Sequence, residues 1–271
     1  MKRASIISTV TALVLTVALA SALAASAAAA PRRAELSNFV CQKALDPTTR
    51  EVSITVVMRP VTDTRKMQME IELFSRAAGA PSFAAVSIPA QSRLDTWITA
   101  PGTLGQRSGD IWKVKVPVAD LAAPATYRYD VEFRWVGTAG RVLESTERSS
   151  AGCYQPELRP ILSVHSLTVE AIAGRPKLDR YVAVIGNSGA TAAKNFDVQL
   201  SDSGTVETDP VTGLHAHSEK TLTFTGPLCD SSAAPTLTVD PQHLVDTANS
   251  GPVTAATTCP APTSAALDSI S

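Results

Sequence analysis

The 271-residue sequence predicts an all-β protein made of two β-sandwich domains in tandem, and three observations carry that expectation. Apolar and polar residues alternate with a period of two through several segments, which is the pattern of strands with one buried face. Helical periodicity is absent. The four cysteines fall into two groups, Cys41 and Cys153 in the first half and Cys229 and Cys259 near the end. Between the groups, Gln155-Pro156-Glu157-Leu158-Arg159-Pro160 carries two prolines and no apolar pattern. It reads as a short, stiff linker at 156–160 joining domains at 31–155 and 161–260, each near the size of one sandwich.

Met1-Lys2-Arg3, an apolar run from Ile6 to Leu23 and the small residues Ala28-Ala29-Ala30 match the three regions of a secretory signal peptide, so residues 1–30 are set apart from the fold. The mature chain is then expected to begin near Ala30 or Pro31. The last residues, 261–271, are small and polar and are predicted to be disordered. No second apolar stretch approaches the roughly 20 residues a membrane span needs. Without Lys2 and Arg3 the chain has 22 Lys and Arg against 25 Asp and Glu, a balance that speaks against nucleic acid as a partner. The charge is unevenly placed, with 17 basic and 14 acidic residues in 31–160 but 5 and 11 in 161–271.

In the first domain, Val52, Ile54 and Val56 share one face of a strand, as do Met67, Met69, Ile71 and Leu73 in the next. A shorter strand is predicted over Phe83 to Ile88. From Asp110 to Val116, Trp112, Val114 and Val116 should point inward, with Ile111, Lys113 and Lys115 outward. The clearest strand, Tyr127 to Trp135, sets Tyr127, Tyr129, Val131, Phe133 and Trp135 against Arg128, Asp130, Glu132 and Arg134. That aromatic row could form a sugar-binding platform, but on an antiparallel strand it is expected to be core. The approach Leu121-Ala122-Ala123-Pro124-Ala125-Thr126-Tyr127 resembles the tyrosine corner of immunoglobulin-like and fibronectin-like sandwiches, with Tyr127 or Tyr129 as its tyrosine. A turn at Gly137 to Gly140 and a strand from Arg141 to Ser149 complete the domain.

The second domain offers strands at Ile161 to Ala171, Leu178 to Ile185, Phe196 to Leu200 and Thr221 to Phe224. Turn signals stand at 174–176, Asn187-Ser188-Gly189, Ser201 to Gly204 and Asp209-Pro210. A closing hairpin is expected from Thr236 to Thr258, with Asp240-Pro241 at its turn. Four cysteines in an exported chain imply disulfides and allow three connectivities. Their placement favours Cys41 with Cys153 and Cys229 with Cys259, so that each sandwich carries one bond.

The run Val182 to Gly189 followed by Phe196 to Leu200, then Gly213-Leu214 with Thr221 to Phe224, then Thr238-Val239-Asp240-Pro241 with Val245-Asp246 and Asn249, resembles the CARDB family. CARDB is a cell-adhesion-related bacterial module, and the resemblance, over about 158–260, implies an immunoglobulin-like sandwich. The whole chain also resembles exported actinobacterial proteins that carry this module. The acidic segment at Asp240 and Asp246 suggests cation binding, but Ala248 and the single Asn249 depart from the family pattern of a second acid and paired asparagines.

Candidate chemistry is sparse. His165, His215, His217 and His243 all lie in the second domain, and His215-x-His217 would need a third ligand such as Asp240 or His243 to hold a metal. They are expected to be solvent-facing loop residues. No Gly-x-Ser-x-Gly, His-Glu-x-x-His or Ser-x-x-Lys pattern marks a nucleophile or a metal, and Glu70, Glu72, Asp130 and Glu132 alternate with core positions as an exposed face would. The expectation is a non-enzymatic, exported binding or adhesion-type protein without cofactor, metal or catalytic residues. Its partner would be a protein or glycan of the cell envelope. The competing expectation is an accessory module of a wall- or glycan-active hydrolase, or a weak hydrolase itself.

Overall fold

A computed structural model describes residues 32–86 and 94–260. The expected signal peptide, its cleavage point, the tail at 261–271 and Ile88 lie outside the described residues.

The described residues of the first part of the chain form nine strands: β1 (Ala34–Gln42), β2 (Glu51–Met58), β3 (Lys66–Ala77), β4 (Ala84–Ala85), β5 (Trp97–Thr99), β6 (Trp112–Val118), β7 (Ala125–Val136), β8 (Val142–Ser149) and β9 (Cys153–Gln155). One antiparallel sheet has the order β1-β2-β6. The facing sheet runs β4-β3-β7-β8, with β5 added to β3 and β9 to β7. Met67, Met69, Ile71, Leu73, Tyr129, Val131, Phe133 and Trp135 are fully buried between the sheets, so the aromatic row is core and not a sugar platform. The inward set Trp112, Val114 and Val116 is buried as the alternation requires, and Ile111 is exposed. The strand expected over Phe83 to Ile88 shrinks to the two residues of β4 among those described.

Three strands escaped the periodicity for local reasons. In β1 the pairing register shifts between Ser37 and Val40, with Asn38 at φ 49°, and such a bulge breaks the period of two. β5 and β9 have three residues each, too few to show a period.

Polar ends of the aromatic row tie the layers together. The Tyr127 hydroxyl donates to Ala122 O at 2.9 Å, which makes Tyr127 the tyrosine of the corner. Tyr129 reaches through the core to Val52 O and Val116 O in the opposite sheet, at 3.1 and 3.0 Å. Trp135 Nε1 donates to Arg59 O at 2.7 Å. Burial pushes the Tyr129 phenol well above its ordinary range, so its proton stays available for these bonds.

The second part forms β10 (Leu162–Ala171), β11 (Leu178–Asn187), β12 (Phe196–Asp202), β13 (Thr205–Val211), β14 (Ser218–Pro227), β15 (Thr236–Val239) and β16 (Val253–Ala256). The sheets are β10-β11-β14 and β13-β12-β15-β16. Their core holds Tyr181, Ile185, Phe196, Val198, Phe224 and Leu237. The Ser203-Gly204 turn has both residues at positive φ, 48° and 81°, which suits the two-residue hairpin joining β12 to β13. Asp209-Pro210 is not a turn. Pro210 lies within β13 opposite Asp197, and because β13 is an edge strand its missing N–H interrupts no ladder. The closing hairpin forms with Thr236 opposite Ala256 and Val239 opposite Val253. Cys41 is bonded to Cys153 and Cys229 to Cys259, each pair with Cα atoms 5.5 Å apart.

Candidate functional site

The residues that carried the family resemblance converge on the incoming chain of the second sandwich. Asn187 accepts from Ile161 N–H and Gly189 N–H through Oδ1, while its Nδ2 faces the carbonyls of Thr191, Leu214 and His215. Gly189 is required by close approach, since a Cβ there would sit 2.4 Å from Arg159 O and 2.6 Å from Ile161 N. Asn249 pairs with both backbone groups of Leu162, at 2.9 and 3.0 Å. The Asn-x-Gly turn and the later Asn therefore hold the first strand in place.

Charges in the linker are enclosed rather than solvated. Glu157 Oε1 takes bonds from Arg50 Nη2 at 2.9 Å and from Arg159 Nε and backbone N at 3.0 Å. Arg159 Nη1 lies 3.3 Å from Asp246 Oδ1. Arg50 is 1% exposed and also donates to the carbonyls of Ala44 and Leu45. Burial alone would raise the Glu157 carboxyl, but the hydrogen bonds from Arg159 and then Arg50 outweigh it and hold the carboxyl at about 2. Asp240 is buried and accepts from Leu244 N–H and Val245 N–H, at 2.8 and 3.1 Å. Asp240 and Asp246, the acids of the segment that suggests cation binding, thus both have structural partners.

His215, His217 and His243 are exposed in loops, as expected. His165 departs from that expectation: it lies on β10 and its Nδ1 is 2.9 Å from Glu219 Oε1, crossing over Gly186, where a Cβ would meet the imidazole at 2.6 Å. Among the described residues no three His, Cys, Asp or Glu side chains gather as a metal-binding set.

The acidic face of the first sandwich is less exposed than its alternation implied. Asp130 is 8% exposed, and Phe83 and Trp97 lie on this face beneath arginines: Arg76 and Arg128 stand 4.9 and 4.7 Å from the Phe83 ring, and Arg134 3.9 Å from the Trp97 ring. Glu70, Glu132 and Glu147 are directly opposite one another across β3, β7 and β8. Burial, then the like charges of Glu70, Asp95, Asp130 and Glu147, raise the Glu72 carboxyl above its ordinary range.

An apolar cavity of about 390 Å³ opens in the second sandwich where the free edges β13 and β14 approach. Leu178, Leu200, Val206 and Pro227 line it, and Val206 is 59% exposed. Two residues of its lining, Asp202 and Pro227, accept from the buried Tyr181 hydroxyl, at 2.5 Å from Asp202 Oδ2 and 2.8 Å from Pro227 O. One phenolic proton serves both acceptors. Glu207 Oε2 accepts from Thr225 N–H at 3.1 Å, so a β13 carboxylate occupies an outward amide of β14. From the sequence Leu178 and Leu200 stand out only as ends of expected strands, and the turn signal at Ser201 to Gly204 lies nearby.

Residues 159–251 match the CARDB family. A CARDB-family domain is present in this part of the chain. The match supports nothing beyond this CARDB domain, and the wider likeness to exported actinobacterial proteins gains no support. No curated protein sequence matches the chain significantly. Among solved structures, red sea bream transglutaminase is 9% identical over 86% of this chain and 32% of its own, with a TM-score of 0.27. The Amycolatopsis orientalis exo-chitosanase CsxA is 14% identical over 81% of this chain and 26% of its own, at 0.27. The class 5 fimbriae chaperone CfaA is 12% identical over 83% of this chain and 100% of its own, at 0.26. At such scores these likenesses carry no argument. This chain spans about a third or less of the two enzymes.

Proposed function

We propose that the chain is an exported, non-enzymatic binding protein of adhesion type, at the bacterial cell surface or in the medium, whose CARDB sandwich holds an extended segment of a protein partner. The observation that carries this reading is the apolar cavity between β13 and β14. Each of these strands pairs on one side only among the described residues, leaving main-chain groups for an added strand beside pockets for apolar side chains. Asp202 and Glu207 give the cavity an acidic character, which suits a segment that is apolar with a flanking Lys or Arg. A glycan is the weaker candidate, because the aromatic row is core and Phe83 and Trp97 are covered by guanidinium groups. Export is supported by the signal-like start and by two disulfides, which persist in oxidising compartments. No helix among the described residues is long and apolar enough to cross a membrane.

The test is retention of the purified chain on envelope fractions of its source cells. Val206→Lys should abolish it and Leu244→Lys, exposed outside the cavity, should leave it intact. Retention that survives Val206→Lys, or survives proteolysis of the envelope proteins, sinks the reading. Turnover on generic ester, peptide and glycan substrates should stay at the blank. A rate lost on a single Ser, His or Asp substitution would favour the hydrolase alternative.

A further inference from the structure

The first sandwich carries, outside the CARDB domain, an end in which basic side chains outnumber acids among the described residues. A polar cavity of about 450 Å³ is lined by Arg33, by the β2–β3 turn from Pro60 to Arg65 and by Gln106 to Ser108 of the β5–β6 loop. A second, of about 420 Å³, shares Arg65 and adds Lys66 and the β7–β8 turn from Gly137 to Gly140. Four cations, Arg33, Arg65, Lys66 and Arg107, thus face two adjoining cavities whose linings contain one carboxylate, Asp63. Among the described residues none of the four is in an ion pair; Arg33 donates to Pro60 O at 3.3 Å.

The frame that carries these side chains is fixed. Thr64 is buried, and its hydroxyl bonds both backbone groups of Val61, at 3.0 and 2.7 Å, closing the β2–β3 turn. Arg65 N–H donates to Val136 O at 2.8 Å, which sets the shared arginine beside the β7–β8 turn. In the β5–β6 loop Asp110 Oδ2 accepts from Gly105 N–H at 2.7 Å and Arg107 N–H at 3.1 Å, and its charge also acts on Arg107, which leaves Arg33, Arg65 and Lys66 as the cations away from this acid. Gly105, at φ 102°, lies against Met67, where a Cβ would be 2.8 Å from Met67 Cγ. The loop is thereby anchored on the core. Unpaired guanidinium groups on a rigid frame favour oxyanions, which they bind with two parallel hydrogen bonds.

We infer that this end of the first sandwich is an anion site for an anionic polymer carrying repeated phosphate or carboxylate groups, one group in each cavity with Arg65 between them. The site is independent of the β13–β14 cavity, so each can fail alone.

Isothermal titration of the full secreted chain with tripolyphosphate in one arm and tetragalacturonate in the other tests it and separates phosphate from carboxylate. At about 50 mM salt one of the two should bind, and the affinity should fall as salt rises to about 150 mM. Arg65→Gln should weaken binding about tenfold, Arg107→Gln by about threefold or more, and Arg148→Gln, exposed on β8, by less than about twofold. Arg107→Gln stands as the second variant should Arg65→Gln fail to fold. Binding of neither probe at millimolar concentration overturns the site. So does an equal loss from Arg148→Gln, which would mean diffuse attraction to a charged surface.

Discussion

In the first sandwich three polar atoms of β7, the hydroxyls of Tyr127 and Tyr129 and the indole nitrogen of Trp135, bond to backbone carbonyls; Tyr129 and Trp135 reach beyond their own sheet. The CARDB sandwich has one such tie, Tyr181 to Asp202, and adds bonds at its rim, where Asn187, Asn249 and Asp240 bond to backbone of the incoming strand and the closing loops. The disulfides follow the same division. Cys41–Cys153 spans 112 residues and buries Cys153, while Cys229–Cys259 spans 30 beside the last hairpin. Both domains have a filled core, and the second adds side chains that fasten its turns.

Removing the disulfides should separate the two most sharply. On the chain-entropy model, replacing Cys41 and Cys153 by Ala costs the first sandwich up to about 4.8 kcal/mol, and replacing Cys229 and Cys259 costs the second up to about 3.7 kcal/mol. Guanidinium chloride unfolding followed in each domain measures both, and a larger loss from the second pair would reverse the comparison. Gly189→Ala should come next, at about 3 kcal/mol, because the new Cβ meets the backbone of Arg159, Pro160 and Ile161 rather than side chains that can yield. Its counterpart in the first sandwich, Tyr129→Phe, leaves two buried carbonyls without their donor and should cost about 2 kcal/mol. If both substitutions left the midpoints unchanged, neither device would hold its domain closed.

The charged groups give smaller, pH-dependent effects of opposite sign. The folded Glu157 carboxyl lies below its unfolded value of about 4.5, so its contribution is complete above that value and disappears as pH falls toward about 2. Glu157→Gln should destabilise by about 1–2 kcal/mol at neutral pH and flatten the acid limb of the stability curve. Glu72 is raised, so its ionised form opposes folding at neutral pH and the penalty is relieved as pH falls through its folded value. Glu72→Gln should stabilise the first sandwich by about 0.5 kcal/mol at pH 7, since like charges directly opposite on a sheet repel by that order. A loss of stability in that variant would mean that the row of acids is compensated by the arginines above it.

What the sequence determined by itself are the features written in local order: the alternations of β3, β6 and β7, the tyrosine approach at Tyr127, the hairpin at Thr236 to Val239 with its return, and the Asn-x-Gly turn. The alternations and the tyrosine approach are short-range patterns whose cause acts within a few residues. The Asn-x-Gly turn shows as a local signal, although its role, meeting the backbone at Arg159 to Ile161, is tertiary. Short or bulged strands such as β1, β5 and β9 gave no such pattern, and Asp209-Pro210 gave a misleading one because an edge strand tolerates proline. The Glu157 cluster, the edge cavity around Val206 and the cations about Arg65 depended on the tertiary structure. Their members stand between 2 and 107 residues apart along the chain within the Glu157 cluster alone. Nothing local to Arg50 or Glu157 requires that they meet; only the folded chain brings the two together across 107 residues.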